Sequence, residues 1–276
     1  MQLRFTKMHG LGNDFVVIDL LSQNAKLTAA HIRHIANRHL GIGCDQVLLV
    51  EPPATIDTDF HYRIYNCDGN EVEQCGNGAR CFGKFVTDKK LTGKRQLKVS
   101  TNTGLINIDV VDASTLSVDM GVPNFNPASL PFTTDKAANS YTINHDLGSS
   151  EISAVSMGNP HAVIVVDNID TADVQGLGKV LECHTQFPNH VNVGFMQILS
   201  RNAIKLRVFE RGVGETQACG SGACAALAAG INNGILDNEV NVELLGGQLN
   251  IQWLGGDTSL KMTGSATKVF DGKITL

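Results

Sequence analysis

Two cysteines stand where a thiol can do chemistry. Cys75 and Cys219 each precede a Gly-x-Gly, and the residues around them repeat. Residues 63–79 read RIYNCDGNEVEQCGNGA and residues 207–223 read RVFERGVGETQACGSGA, an offset of 144 from Cys75 to Cys219. Arg63 pairs with Arg207, Glu71 with Glu215, Gly76 with Gly220, Gly78 with Gly222 and Ala79 with Ala223. Asn13 and Asn159, each after a glycine, repeat at an offset of 146, and so do Gln46 and Asn192. Matches in one order at nearly one offset mean two copies of one fold. A thiol at a helix start sits in the positive end of the helix dipole, which lowers its pKa, and the bare N–H groups beside it suit a carboxylate. Two such thiols on opposite faces of one amino-acid α-carbon invert that centre: one takes the proton and the other supplies it. The carbanion-like transition state needs aimed N–H donors and the exclusion of water.

Most of the other cysteines (44, 67, 81, 183 and 224) read as buried filler, a common fate of a free Cys. An odd count of 7, with no export signal at the start, argues against a disulfide framework. No two Cys pairs have structural-zinc spacing, and His31, His34 and His39 lack the carboxylate or Cys that would make them a metal face, so no metal is expected.

Both thiols must be positioned by strands and a helix in each half. Short alternating segments predict strands over Phe15–Leu20, Gln46–Val50, Phe60–Tyr65, Leu97–Ser100, Leu105–Val110 and Thr115–Met120. The second half offers Ala162–Val166, Asn192–Leu199, Ile204–Phe209, Val240–Leu244, Leu249–Trp253 and Ser259–Thr263. Helices are expected over Thr28–Arg38, Gly78–Asp88 and Gly222–Asn232, the last rich in alanine. The expected fold class is therefore α+β: two strand-rich homologous domains, each with a central helix after its key cysteine. Prolines at 123, 127 and 131 place the hinge in Gly121–Pro131. This divides the chain into residues 1–121 and 122–265, with the site in the cleft between them. Residues 266–276 are assigned to the first domain, although Ala266–Thr275 could go either way on sequence alone.

A net charge of −5 without a basic stripe argues against nucleic acid. No apolar run is long enough for a membrane span, which with the missing export signal leads us to expect a cytoplasmic protein.

HGLGNDF (9–15), GIGCDQ (41–46), NCDGNEVEQCGNGARC (66–81), GNPH (158–161), HVNVGF (190–195) and ERGVGETQACGSGAC (210–224) resemble the motifs of diaminopimelate epimerases along the whole chain. The resemblance implies a cofactor-free isomerase that interconverts LL- and meso-diaminopimelate in lysine and cell-wall precursor synthesis. It also implies two β-barrel-like domains, each around a central helix, and often a homodimer. Cys75 and Cys219 would be the acid–base pair, exchanging roles with direction. Gly76-Asn77 and Gly220-Ser221 would hold the reacting carboxylate. Asn13, Gln46, Asn66, Asn159, Asn192, Glu210 and Arg211 would bind the rest of the substrate, Arg211 taking the distal carboxylate and Glu210 an ammonium. His161 could orient site groups or serve as an ordinary structural histidine. Ser221 keeps the hydroxyl of the threonine common there. Phe270 lacks the hydroxyl of a tyrosine often found there, which bears on dimerisation and not on the chemistry.

The nearest rival is a proline or hydroxyproline racemase of the same fold; Glu210-Arg211 favours an acyclic substrate with a charged far end. A nucleotide binder would need G-x-x-x-x-G-K-[ST] or G-x-G-x-x-G, and neither occurs. Pyridoxal phosphate would need a lysine in the paired motifs, and neither motif has one. A disulfide between Cys75 and Cys219 would be inactivation and not function.

Overall fold

The computed structural model describes residues 1–72 and 75–276. Glu73 and Gln74, inside the first of the paired motifs, lie outside the described residues. The chain divides into two compact units, Met1–Asp119 with Thr263–Leu276 and Met120–Met262.

The first unit runs β1 (Gln2–Gly10), β2 (Asn13–Asp19), α1 (Ala29–Ala36), β3 (Gln46–Glu51), β4 (Phe60–Asn66), β5 (Glu71–Val72), α2 (Gly76–Asp88), β6 (Gln96–Ser100), β7 (Leu105–Val110) and β8 (Thr115–Asp119). β1–β2, β3–β4, β6–β7 and β7–β8 pair antiparallel, whereas β2–β3 pair parallel across α1. α1 opens on a capping box: the Thr28 hydroxyl accepts from the His31 N–H, and the His31 ring accepts from the Thr28 N–H. His31 is therefore occupied in holding the helix start. Ile32, Ile35 and Ala36 bury the inner face of α1 on Val16, Ile18, Val47 and Leu49.

α2 packs against strands on several sides of this unit, β1, β2, β3, β7 and β8 among them. It buries Cys81, Phe82, Phe85 and Val86, each aromatic stabilising by about 1.5–3 kcal/mol. Gly83 lets the helix approach β7 and β8, since a Cβ there would lie 2.6 Å from Leu116 and 2.8 Å from Ile108.

The second unit repeats the plan. It runs β9 (Tyr141–His145), β10 (Gly148–Ser156), β11 (Pro160–Val165), α3 (Val174–Glu182), β12 (Asn192–Ser200), β13 (Ala203–Glu210), β14 (Gly214–Thr216), α4 (Gly220–Asn232), β15 (Glu239–Leu244) and β16 (Gly247–Gln252). β11 and β12 pair parallel across α3 as β2 and β3 do across α1. The repeat holds residue by residue: Phe15 sits opposite Gln46, and His161 opposite Asn192, each pair 146 positions from its counterpart. Arg63 grips Glu71 at 2.8 and 2.9 Å, and Arg207 grips Glu215 at 2.6 and 3.1 Å, so the same two-point ion pair ties β4 to β5 and β13 to β14, just before each cysteine. α4 is buried nearly all round from Gly222 to Gly230, as a helix of small residues enclosed by strands must be.

β17 (Lys261–Ser265) carries the chain out of the second unit, and β18 (Thr267–Thr275) pairs antiparallel with β1, from Gln2–Thr275 to His9–Thr267. The tail thus belongs to the first unit, a point its sequence leaves open. Each unit is a curved, mostly antiparallel sheet about one central helix. Among the described residues, no helix is long and apolar enough to cross a membrane.

Candidate active site

In each unit the key cysteine is the N-cap of the central helix. Cys75 (φ −142°) and Cys219 (φ −110°) are extended, so the helices begin at Gly76 and Gly220, two residues earlier than the spacing predicts. The Cys75 and Cys219 carbonyls accept from the Ala79 and Ala223 N–H groups, the first helical bonds. The N–H groups of residues 76–78 and 220–222 precede that first bond and lie at the helix end that favours an anion.

In the first unit Asn13 begins β2, Gln46 begins β3 and Asn66 ends β4, which brings all three to one end of the sheet. The Cys75 thiol lies 3.7 Å from the Asn13 side-chain oxygen, to which it donates. Asn77, buried in the first turn of α2, donates to the same oxygen at 3.3 Å. Gln46 donates to Asn66 at 2.9 Å.

Three residues not singled out from sequence support this set. Arg80 is fully buried and donates to the Asn77 oxygen at 2.9 Å. Asp45 accepts from the Asn13 amide at 2.9 Å. Tyr62 lies against the Cys75 carbonyl at 3.5 Å. The first two fall inside quoted motifs, and Arg80 lies three residues after Asn77, a spacing that puts them on one helix face.

In the second unit Asn159 precedes β11, Asn192 begins β12 and Glu210 ends β13. Asn159 donates to Ser221 at 3.3 Å, and Ser221 in turn lies 3.6 Å from the Cys219 sulfur. The buried Asn192 donates to the Pro160 carbonyl and accepts from the Arg211 N–H, both at 3.0 Å. The Arg211 guanidinium is exposed and donates to the Asn189 carbonyl at 3.2 Å. Glu210 accepts from the Thr216 hydroxyl at 2.5 Å. His161 is buried with Nε2 3.0 Å from the Asn159 oxygen and, among the described residues, Nδ1 without a partner. Burial first, and the Arg211 charge second, push its pKa down to about 3, so the ring is neutral and Nε2 carries the proton.

Cys219 corrects one expectation. A helix start favours a thiolate, yet this thiol is pushed well above its ordinary range. Burial is the largest cause and the Glu210 carboxylate the next, and together they outweigh the Ser221 hydroxyl and the Gly222 N–H that favour the anion. Cys219 therefore holds its proton. Cys44 and Cys81 are pushed up to about 12 chiefly by burial, as filler thiols should be. Among the described residues no three His, Cys, Asp or Glu side chains converge as metal ligands.

A family model for diaminopimelate epimerase matches residues 5–126 and 153–269. Proteins named diaminopimelate epimerase from Stutzerimonas stutzeri and Ectopseudomonas mendocina are each 53% identical over 276 residues, and one from Teredinibacter turnerae is 54% identical; all of this chain and all of each relative are covered. Among solved structures, a Bacillus anthracis phenazine biosynthesis protein of the PhzF family superposes with a TM-score of 0.73 at 16% identity, covering 100% of both chains. A hydroxyproline epimerase from Agrobacterium vitis gives 0.72 at 15% identity, covering 99% of this chain and 92% of that one. At these identities the likeness is one of fold.

Proposed function

The chain belongs to the diaminopimelate epimerase family, and we propose that it interconverts LL- and meso-diaminopimelate by a two-thiol proton transfer between Cys75 and Cys219, with no cofactor. It is an isomerase acting on a small molecule of lysine biosynthesis. The observation that carries the mechanism is the repeat itself: two cysteines at equivalent N-caps, each at the N–H end of a central helix.

Inversion requires the two sulfurs to reach opposite faces of one α-carbon. One thiolate forms an S–H bond as the Cα–H bond breaks, and the electron pair left on Cα spreads into the carboxylate. The other thiol gives its proton to the opposite face. The reverse direction exchanges their parts. The N–H groups at Gly76-Asn77 and Gly220-Ser221 hold the carboxylate as its charge rises. Cys219, kept protonated by burial and Glu210, is ready to donate.

The exposed Arg211 guanidinium takes the distal carboxylate, and Glu210, Asn192, Gln46, Asn66 and Asn159 surround the remaining polar groups. Neutral His161 orients Asn159 through Nε2. A charged distal end favours diaminopimelate over proline or hydroxyproline, which have none.

The enzyme works in the cytoplasm as a homodimer and engages neither nucleic acid nor membrane. The apolar surface that Val269 and Phe270 leave on β18 supports self-association, which sedimentation of wild type against Phe270→Asp tests.

The deciding experiment incubates reduced protein with LL-diaminopimelate in deuterated water without added cofactor. Formation of the meso isomer with deuterium at the inverted α-carbon is expected. Exchange into proline instead would move the substrate, and exchange into no amino acid would end the two-thiol reading.

A further inference from the structure

Asn13 and Asn77 form a short relay that ends on Cys75, and each end of the relay is held by a charge. At the inner end, Arg80 donates from Nη2 to the Asn77 oxygen at 2.9 Å and from Nε to the Ser265 carbonyl at 3.2 Å. At the outer end, the Asp45 Oδ2 accepts from the Asn13 amide at 2.9 Å and from the Asp14 N–H at 3.0 Å. A guanidinium only donates and a carboxylate only accepts, so the direction of both amides follows without ambiguity. Asn77 must turn its oxygen to Arg80 and its NH2 to Asn13. Asn13 must turn its NH2 to Asp45 and its oxygen to Asn77 and to the Cys75 thiol.

Asp45 is itself fixed. Arg38 pairs with it at 2.7 Å and with Asp14 at 2.8 Å, and Lys7 pairs with Asp14 at 2.6 Å. The charged groups of this network come from β1 (Lys7), β2 (Asp14), the loop after α1 (Arg38 and Asp45) and α2 (Arg80).

The other half lacks the arrangement. At the repeat positions of Asp45 and Arg80 stand Val191 and Cys224. Asn159, the counterpart of Asn13, gives its oxygen to His161 and turns its NH2 toward Ser221. The two matched asparagines thus point in opposite senses, and only the first presents an acceptor to its thiol.

We propose that Asp45 and Arg80 are positioning residues that clamp Asn13 so that its amide oxygen, and not its NH2, faces Cys75 and the α-ammonium of the incoming amino acid. With the site empty, that oxygen accepts from the Cys75 thiol and so favours the protonated form. When the substrate arrives, its ammonium takes over the oxygen. The thiol then loses its acceptor and gains a neighbouring cation, and both changes favour the thiolate. Cys75 is thereby activated by the substrate it serves. An amide oxygen also repels a carboxylate, which sends the reacting carboxylate to the helix N–H groups. This rests on Cys75 being one of the two reacting thiols, but its central claim is readable without substrate.

Arg80 is too deeply buried for a clean first test, whereas the Asp45 side chain is 45% exposed. Asp45→Asn provides a group that donates as well as accepts, which frees the Asn13 amide to turn over. The readout is alkylation of Cys75 by iodoacetamide as a function of pH in the full-length enzyme without substrate, resolved from the other cysteines by peptide mass spectrometry. Losing one hydrogen bond to the thiol should lower the midpoint by about half a pH unit to one unit. Because Asp45→Asn also removes a negative charge, the same change is made in an Asn13→Ala background. There the relay is already cut, and Asp45→Asn should shift nothing further. An equal shift in both backgrounds would mean that the carboxylate acts through space, and no shift in Asp45→Asn alone would mean that the amide is not clamped; either result overturns the proposal. A failure of the deuterium experiment with intact alkylation shifts would instead fault the assigned reaction.

Discussion

His161 should make the second unit acid-sensitive in a way that can be calculated. Its folded pKa is depressed from 6.5 to about 3 because the ring is buried. A depressed value means that the unfolded chain binds the proton more readily. The stability this neutral ring contributes is therefore whole above pH 6.5 and is lost as pH falls from there towards 3. At pH 5 the unfolded histidine has gained about 1.5 units' worth of protonation, while the folded ring is still neutral. At 1.36 kcal/mol per unit, unfolding becomes easier by about 2 kcal/mol between pH 7.5 and pH 5. The loss at pH 5 is insensitive to the folded value, since only the gap to 6.5 enters. With a urea dependence of about 2 kcal/mol per M, the midpoint should fall by about 1 M.

Trp253 is the sole tryptophan, is buried, and lies in the unit that holds His161, so its fluorescence reports the relevant transition. His161→Gln keeps an N–H for the Asn159 oxygen and cannot titrate. It should lose about 2 kcal/mol less than wild type over the same interval. Equal losses in the two proteins would refute the assignment of this sensitivity to a buried neutral imidazole.

Other consequences follow from groups already described. Glu210→Gln removes the like charge beside Cys219, and the pH midpoint for alkylating that thiol should fall by about one unit or more; an unmoved midpoint would leave burial as its only cause. Gly83→Ala forces a methyl against Leu116 and Ile108 and should destabilise by about 1–3 kcal/mol, whereas Gly93→Ala, with nothing within 4 Å, should be neutral or better. Thermal unfolding of the pair separates overpacking from a general intolerance of alanine. Cys44 and Cys81 have folded values raised to about 12 from 9.0, so stability should be whole below pH 9 and fall as pH rises towards 12; Cys81→Ala should flatten that alkaline slope in urea titrations.

The paired motifs made the repeat, the central helices and most of the supporting strands legible before any coordinates. α2 is stated by its sequence almost in full, because apolar Phe82, Phe85 and Val86 recur at helical spacing after a glycine-rich start. α3 is not legible in the sequence. Its VQGLGKVLE carries two glycines that weaken any helical reading, and only the structure shows why: a Cβ at Gly178 would lie 2.7 Å from Phe209. β1 is equally hidden, since Arg4, Lys7 and His9 dilute its alternation, and its partner β18 lies at the far end of the chain.

At the site, residue types and spacing named the groups beside each thiol. They did not name the charges that aim those groups, because Asp45 and Arg80 act through Asn13 and Asn77 and touch no predicted reactive atom. The raised Cys219 was equally hidden: the helix start is written in the sequence, but the burial that overrides it is a property of packing.

The pairing of β1 with β18 has a further consequence for how the molecule is made. Thr6 and Asp271, bonded at 2.6 Å, are 265 residues apart in the chain. On the ribosome, the first unit emerges first yet cannot close its sheet until the whole second unit has been synthesised. At about 5–20 residues per second, β1 waits many seconds with one edge unpaired. A nascent chain in that state offers a strand edge open to chance partners. The unit translated second completes its own sheet first, and the unit translated first is finished last.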